Sequence, residues 1–238
     1  MRQGCGSERI AAAIRGLALG TALIVILASA ACYPAGIRTD EGNSPDAAPP
    51  AASPAEASET LGKLEVAPPG SMAGYSRERF PHWSDAQENG WDAPSTSCNV
   101  RDAALIRDGE AVEVGDGCDV SSGEWLDPYT GSTYADPSEI DIDHVVPLAE
   151  AWRNGASSWD EARRERYAND PDVLLSVEDN ANQSKGDKGP EAWKPPREAV
   201  WCDYATQWIG IKEGYDLTVD EREKAALEEM LGTCAEGG

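Results

Sequence analysis

The sequence predicts an α+β domain stapled by disulfides, and three observations carry that reading. Turn-linked strand segments occupy residues 104–134, an alternating acidic and apolar stretch follows at 139–146, and capped amphipathic helices fill 196–231. Four cysteines lie in this region: Cys98, Cys118, Cys202 and Cys234. An even number in an exported chain implies disulfides. Four cysteines allow three pairings, and sequence proximity favours Cys98–Cys118 with Cys202–Cys234, each closing a modest loop for about 3 kcal/mol. A four-thiolate zinc site would need Cys-x-x-Cys pairs, and none is present.

Export is read from the N-terminus. Arg2, Arg9 and Arg15 give a positive start, and Gly16 to Ala28 is an apolar run too short to span a bilayer comfortably. Leu27-Ala-Ser-Ala-Ala-Cys32 resembles a lipobox, which would make Cys32 a lipidated N-terminus anchored to a membrane. Ordinary cleavage after the Ala-x-Ala-like site is the alternative. The expectation is a signal over 1–31 and a secreted protein or cell-surface lipoprotein. Residues 32–69 are rich in Ala, Pro, Ser and acids, a composition that buries too little apolar surface to fold, so a disordered linker is expected. Residues 70–238 then form one domain, expected as a monomer.

Within that domain Phe80, Trp83 and Trp91 are the first core anchors. Ala104 to Val114 reads as a β-hairpin around Asp108-Gly109, and Glu124 to Tyr134 as a second turn-linked pair. Glu139 to Val146 alternates at period two, placing Ile140 and Ile142 inward. Ser158-Trp-Asp-Glu161 reads as a capping box opening a helix through Tyr167. Val173 to Leu175 is a brief strand, and Ser176-Val-Glu-Asp179 opens a helix ended by Gly186, with Glu178, Asn182 and Lys185 on one face. Pro196 suits the first turn of a helix with Val200, Trp201, Tyr204, Trp208 and Ile211 as its stripe. Thr218-Val-Asp-Glu221 caps a final helix bearing Leu227, Met230 and Leu231.

A net charge of −23 argues against a protein that coats nucleic acid nonspecifically, because such binding rests on basic patches. Local chemistry is another matter. Asp143, His144, Asn182 and Lys185 offer a carboxylate, an imidazole, an amide and an ammonium, and only two histidines occur in the chain. Those groups suit cutting a phosphodiester with one divalent ion: oxygen ligands, a base near neutral pH and a cation for phosphate. Strict alternation would point Asp143 and His144 to opposite faces, so the strand must end or bend there. Lys185, Lys188, Lys194 and Arg197 form the densest basic stretch.

Asp143-His144-Val-Val-Pro147-Leu-Ala-Glu-Ala-Trp152 and Asn182-Gln-Ser-Lys185-Gly-Asp187 resemble the HNH endonucleases, also called ββα-metal or His-Me finger nucleases. More narrowly the chain is similar to a secreted bacterial branch related to the C-terminal domain of GmrSD-type restriction enzymes. Tyr75-Ser-Arg-Glu-Arg-Phe80-Pro-His82-Trp83, Cys98-Asn-Val-Arg101 and Trp193-Lys-Pro-Pro196 support that narrower likeness. The resemblance implies a ββα-metal core with added β-hairpins and two C-terminal helices. It implies Asp143 and Asn182 as metal-side residues, His144 as general base, and 5′-phosphate and 3′-hydroxyl ends. The middle HNH residue falls at about Asp172, with Asn169 as a substitute. Arg101 and Lys188 are expected to touch substrate phosphate, and Lys185 to lose a phosphate contact when truncated. The expected function is metal-dependent cleavage of DNA, with Mg²⁺ as cofactor. The alternatives are a noncatalytic metal- or partner-binding surface lipoprotein, or an RNA-directed nuclease of the same fold.

Overall fold

A computed structural model of the chain describes residues 52–234; the expected signal peptide and Cys32 lie outside them. Helix α1 (Pro54–Lys63) opens the described part on a capping box, in which Ser53 accepts from the Glu56 amide and the Glu56 carboxylate reaches back to Ser53. Ala57 and Leu61, four residues apart, are buried against the later helices α6 (Trp201–Gly214) and α7 (Glu221–Leu231). The expectation of a disordered linker through residue 69 is therefore corrected for this stretch. Its apolar residues are few, but helical spacing puts them on one stripe.

Helix α2 (Val100–Asp108) overturns the first expected hairpin. Asn99 and Asp102 make a reciprocal cap, and the Asp108-Gly109 pair ends a helix instead of turning a chain. Strand β1 (Gly109–Val114) follows and pairs antiparallel with β2 (Val120–Leu126), which pairs with β3 (Thr133–Tyr134) as predicted, Trp125 opposite Tyr134. Strand β4 (Ile140–His144) comes next, then helices α3 (Leu148–Arg153) and α4 (Glu161–Asn169), then β5 (Leu174–Glu178) and helix α5 (Asp179–Lys185). Strands β4 and β5 are antiparallel, with Ile142 opposite Ser176 and His144 opposite Leu174.

Several caps fall one or two residues from their expected places. Asp160, not Ser158, caps α4. Ser176 belongs to β5, and Glu178 caps α5 through the Ala181 amide. Gly186 ends α5 at φ +53°, a left-handed conformation that favours glycine. Pro196 precedes a single 3-10 turn, and α6 begins at Trp201. Asp220, with Glu223, caps α7 in place of Thr218.

Two cores flank the β4–β5 pair. One gathers Trp91, Val100, Leu105, Trp125, Ile140, Ile142 and Leu174. The other joins Leu61, Phe80, Tyr129, Trp152, Tyr167, Trp208, Leu227 and Met230. Ile140 and Ile142 are buried as alternation required. The disulfides are Cys98–Cys118, which ties the segment before α2 to the turn before β2, and Cys202–Cys234, which ties α6 to the end of α7. Among the described residues no helix is long and apolar enough to cross a membrane.

Because Leu61 is 2% exposed, Leu61→Ala should remove about 2–5 kcal/mol of stability. Urea unfolding would measure it, and a change below about 0.5 kcal/mol, the scale of a surface substitution, would show that α1 is not part of the core.

Candidate active site

Strand β4 delivers two consecutive polar residues to its own end. Alternation puts Asp141 and Asp143 on the face toward α5, while His144 lies on the Ile140 and Ile142 side, 6.2 Å from the Trp83 ring between centroids. The strand stops at His144, so both side chains border one cleft there. Its volume is about 230 Å³, and Pro147, Asn182, Gln183, Asp187 and Arg77 complete most of its wall.

His144 is buried, 4% exposed, and its Nε2 lies 3.0 Å from the Ala168 carbonyl oxygen. A carbonyl can only accept, so Nε2 carries the proton and Nδ1 holds a lone pair. Burial pushes the imidazole pKa down to about 3, against which the Ala168 bond works only partly. The ring is neutral at physiological pH.

Asp143 is held from two sides. Lys185 Nζ lies 2.8 Å from both carboxylate oxygens, and Tyr129 Oη donates to Oδ2 at 2.7 Å. Lys185 also donates to the His144 carbonyl at 2.9 Å. Burial pushes the carboxyl up and the ammonium down, and each group's charge opposes the other's shift. Tyr129 is placed by the Asp127 turn: the Asp127 carboxylate accepts from the amides of Tyr129, Thr130 and Glu178.

The expected residues thus separate. Asp143, His144 and Asn182 meet at the cleft. Lys185 meets Asp143 but is fully buried, so the expected phosphate contact is corrected: its charge faces a carboxylate, not solvent. Arg101 donates to the Ile140 carbonyl at 3.0 Å and lines a separate depression with Asp102 and Asp119, away from the cleft. Lys188 is exposed and bonds the Ser184 carbonyl at the end of α5, outside the cleft wall. Asp172 is exposed, whereas Asn169 is completely buried. The Asn169 amide accepts from Ser84 N at 3.1 Å and donates to the Pro81 carbonyl at 2.9 Å. His82 contacts the Phe80 carbonyl through Nδ1. Sequence reasoning missed Tyr129 and Arg77. The Asp-Pro-Tyr-Thr-Gly turn gave no sign that its tyrosine points inward, but Arg77 sits in a segment already singled out for its resemblance.

For a divalent ion the donor set is small. Asn182 Nδ2 donates to Asp141 at 3.1 Å, and its Oδ1 has no protein partner among the described residues. Asp143 Oδ1 meets only Lys185 and keeps a second lone pair, whereas Oδ2 already faces both Tyr129 and Lys185. No group of three or more His, Cys, Asp or Glu side chains converges among the described residues. Two protein oxygens fit an ion that retains most of its waters, as Mg²⁺ does, and do not build a closed cage.

The model of the GmrSD restriction endonucleases, C-terminal domain, matches residues 112–230. A protein of Arthroderma benhamiae described as an "uncharacterized secreted protein" is 47% identical over 187 residues, covering 78% of this chain and 87% of that one. The chain belongs to the GmrSD restriction endonuclease C-terminal domain family. No solved structure matches it.

Two outcomes follow from the buried groups. Lys185→Met should destabilise the fold by about 3–5 kcal/mol, because it strands a buried carboxylate, and adding Asp143→Asn should recover much of that loss. Equal stability of Lys185→Met and wild type in urea would refute the pair. His144, with its folded pKa below its unfolded 6.5, contributes stability that is full above about 6.5 and lost as pH falls toward about 3. Unfolding midpoints for wild type should therefore drop more steeply over that window than those of His144→Asn; parallel curves would contradict a buried neutral imidazole.

Proposed function

We propose that the protein is an exported nuclease that hydrolyses phosphodiester bonds of DNA, with His144 as general base in a ββα-metal core. The observation that carries the reading is the placement of His144: a residue of the cleft wall, tied through Nε2 to the Ala168 carbonyl, with the Nδ1 lone pair left to accept a proton. The order β4, β5, α5 with Asn182 on the helix supports it, as does membership of a restriction endonuclease family. DNA is inferred from that family's description. Export is supported by the secreted relative and by two disulfides.

In this reading Nδ1 takes a proton from water, the oxygen attacks phosphorus, and the bond to the leaving 3′ oxygen breaks; that oxygen takes a proton from a second water, and the imidazolium returns its own to solvent. A 5′-phosphate and a 3′-hydroxyl result. Asp143 and Asn182 would hold a divalent ion, for which we propose Mg²⁺; when bound it would draw charge from the phosphate and the leaving oxygen. Lys185 and Tyr129 act on Asp143, fixing its carboxylate at the cleft. Asn169 takes the middle position of the motif. It precedes nothing in the cleft itself, but it fixes the backbone beside Ala168, the acceptor for His144.

The test is nicking of supercoiled plasmid by the purified protein, with divalent metal added and then chelated. His144→Ala should lower the rate about 10²–10⁴-fold while leaving the fold intact. Wild-type cleavage surviving unchanged in His144→Ala would remove the base assignment. A wild type inert with Mg²⁺, Mn²⁺, Ca²⁺ and Zn²⁺ alike would remove the nuclease reading.

A further inference from the structure

We propose that Arg77 is the residue that binds the substrate backbone, through the phosphate beside the bond being cut; this rests on the nuclease reading. Arg77 is the one positively charged side chain in the cleft wall that holds His144, Asp143 and Asn182. It is exposed and makes no side-chain hydrogen bond or ion pair among the described residues. The other cations close to this site are already engaged. Lys185 is spent on Asp143, and Arg153 is bound to Glu150 and the Asp187 carbonyl.

The mount is rigid. Arg77 opens a 3-10 turn, Arg77–Arg79, whose next residue, Phe80, is fully buried against Trp152 and Tyr167. Arg164 Nε donates to the Arg79 carbonyl at 2.8 Å, and Asn169 holds Pro81. A tethered backbone here presents a free guanidinium, whose planar fork matches two phosphate oxygens. In a chain of net charge −23, Arg77 is the unpaired cation that the cleft wall offers an incoming polyanion among the described residues.

Binding of a short fluorescent DNA duplex, followed by anisotropy in chelator across a salt series, tests this without turnover. Arg77→Ala should weaken binding about tenfold and make the log–log salt slope shallower by about 0.9, the loss of one phosphate contact. Arg77→Lys should keep most of the slope but not the affinity, because a point charge replaces the fork. Arg79→Ala, an exposed neighbour outside the cleft wall, should change neither. Unaltered affinity and slope in Arg77→Ala, an equal loss in Arg79→Ala, or no duplex binding by wild type would each overturn the proposal. A wild type that binds through Arg77 yet never nicks plasmid would instead overturn the nuclease reading and leave the anchor standing.

Discussion

Lys185 and Asp143 are buried together where β4 meets α5, and the geometry around the cleft depends on that pair. An ammonium in the interior is tolerable only with a counter-charge and satisfied protons. Asp143 supplies the charge, and the His144 carbonyl accepts a further hydrogen bond from the ammonium. One cation thus grips two consecutive residues of β4 from the helix that follows β5. The ion pair fixes how α5 lies across the two strands, and with it the position of Asn182 one turn earlier. Tyr129 closes the arrangement from the β2–β3 turn, so three separate parts of the chain agree on where one carboxylate sits.

A second network fixes the other side of His144. The Asn169 amide bonds Pro81 and Ser84, bracketing Trp83, whose φ of +62° lies in a region that bulky residues rarely adopt. Such a conformation persists only where its surroundings over-determine it. Here the bracket is that surrounding, and its product is an indole packed near the imidazole whose Nε2 bonds Ala168, the residue before Asn169. Strain in the backbone is exchanged for a defined ring orientation.

Much of the site was legible because it obeys local rules. Period-two alternation in Ile140 to Asp143 located β4, and Gly186 marked the end of α5. The placement of Asn182 and Lys185 on one helix followed from spacing alone. What spacing could not say is which side chains face inward as charges: Lys185 reads as a surface cation until the burial of its helix face is known. Residues 104–108 were misjudged because Asp-Gly is a turn signal on strands and also a helix terminus, and only the Asn99–Asp102 cap decides between them. Helix α1 was hidden by composition, since two apolar residues in a polar stretch suffice when α6 and α7 supply the rest of the contact.

The family match ends short of the complete site. Asp143, His144, Asn182, Lys185 and Tyr129 all fall within residues 112–230, whereas Arg77, Trp83 and Ser84 precede it. So does Cys98, whose disulfide holds Cys118. The matched region therefore contains the groups proposed for chemistry, and the segment before it contains the proposed anchor and half of the support for His144. The Arthroderma benhamiae relative aligns over 187 residues, more than the matched region spans, so likeness to it extends into the flanking chain. Physically this division is workable only because the early segment is nailed to the later one through Phe80, Asn169 and the disulfide. Without those ties an exposed guanidinium could not be kept over a cleft built by residues far along the chain, and ordering it on binding would cost side-chain and loop entropy at each encounter.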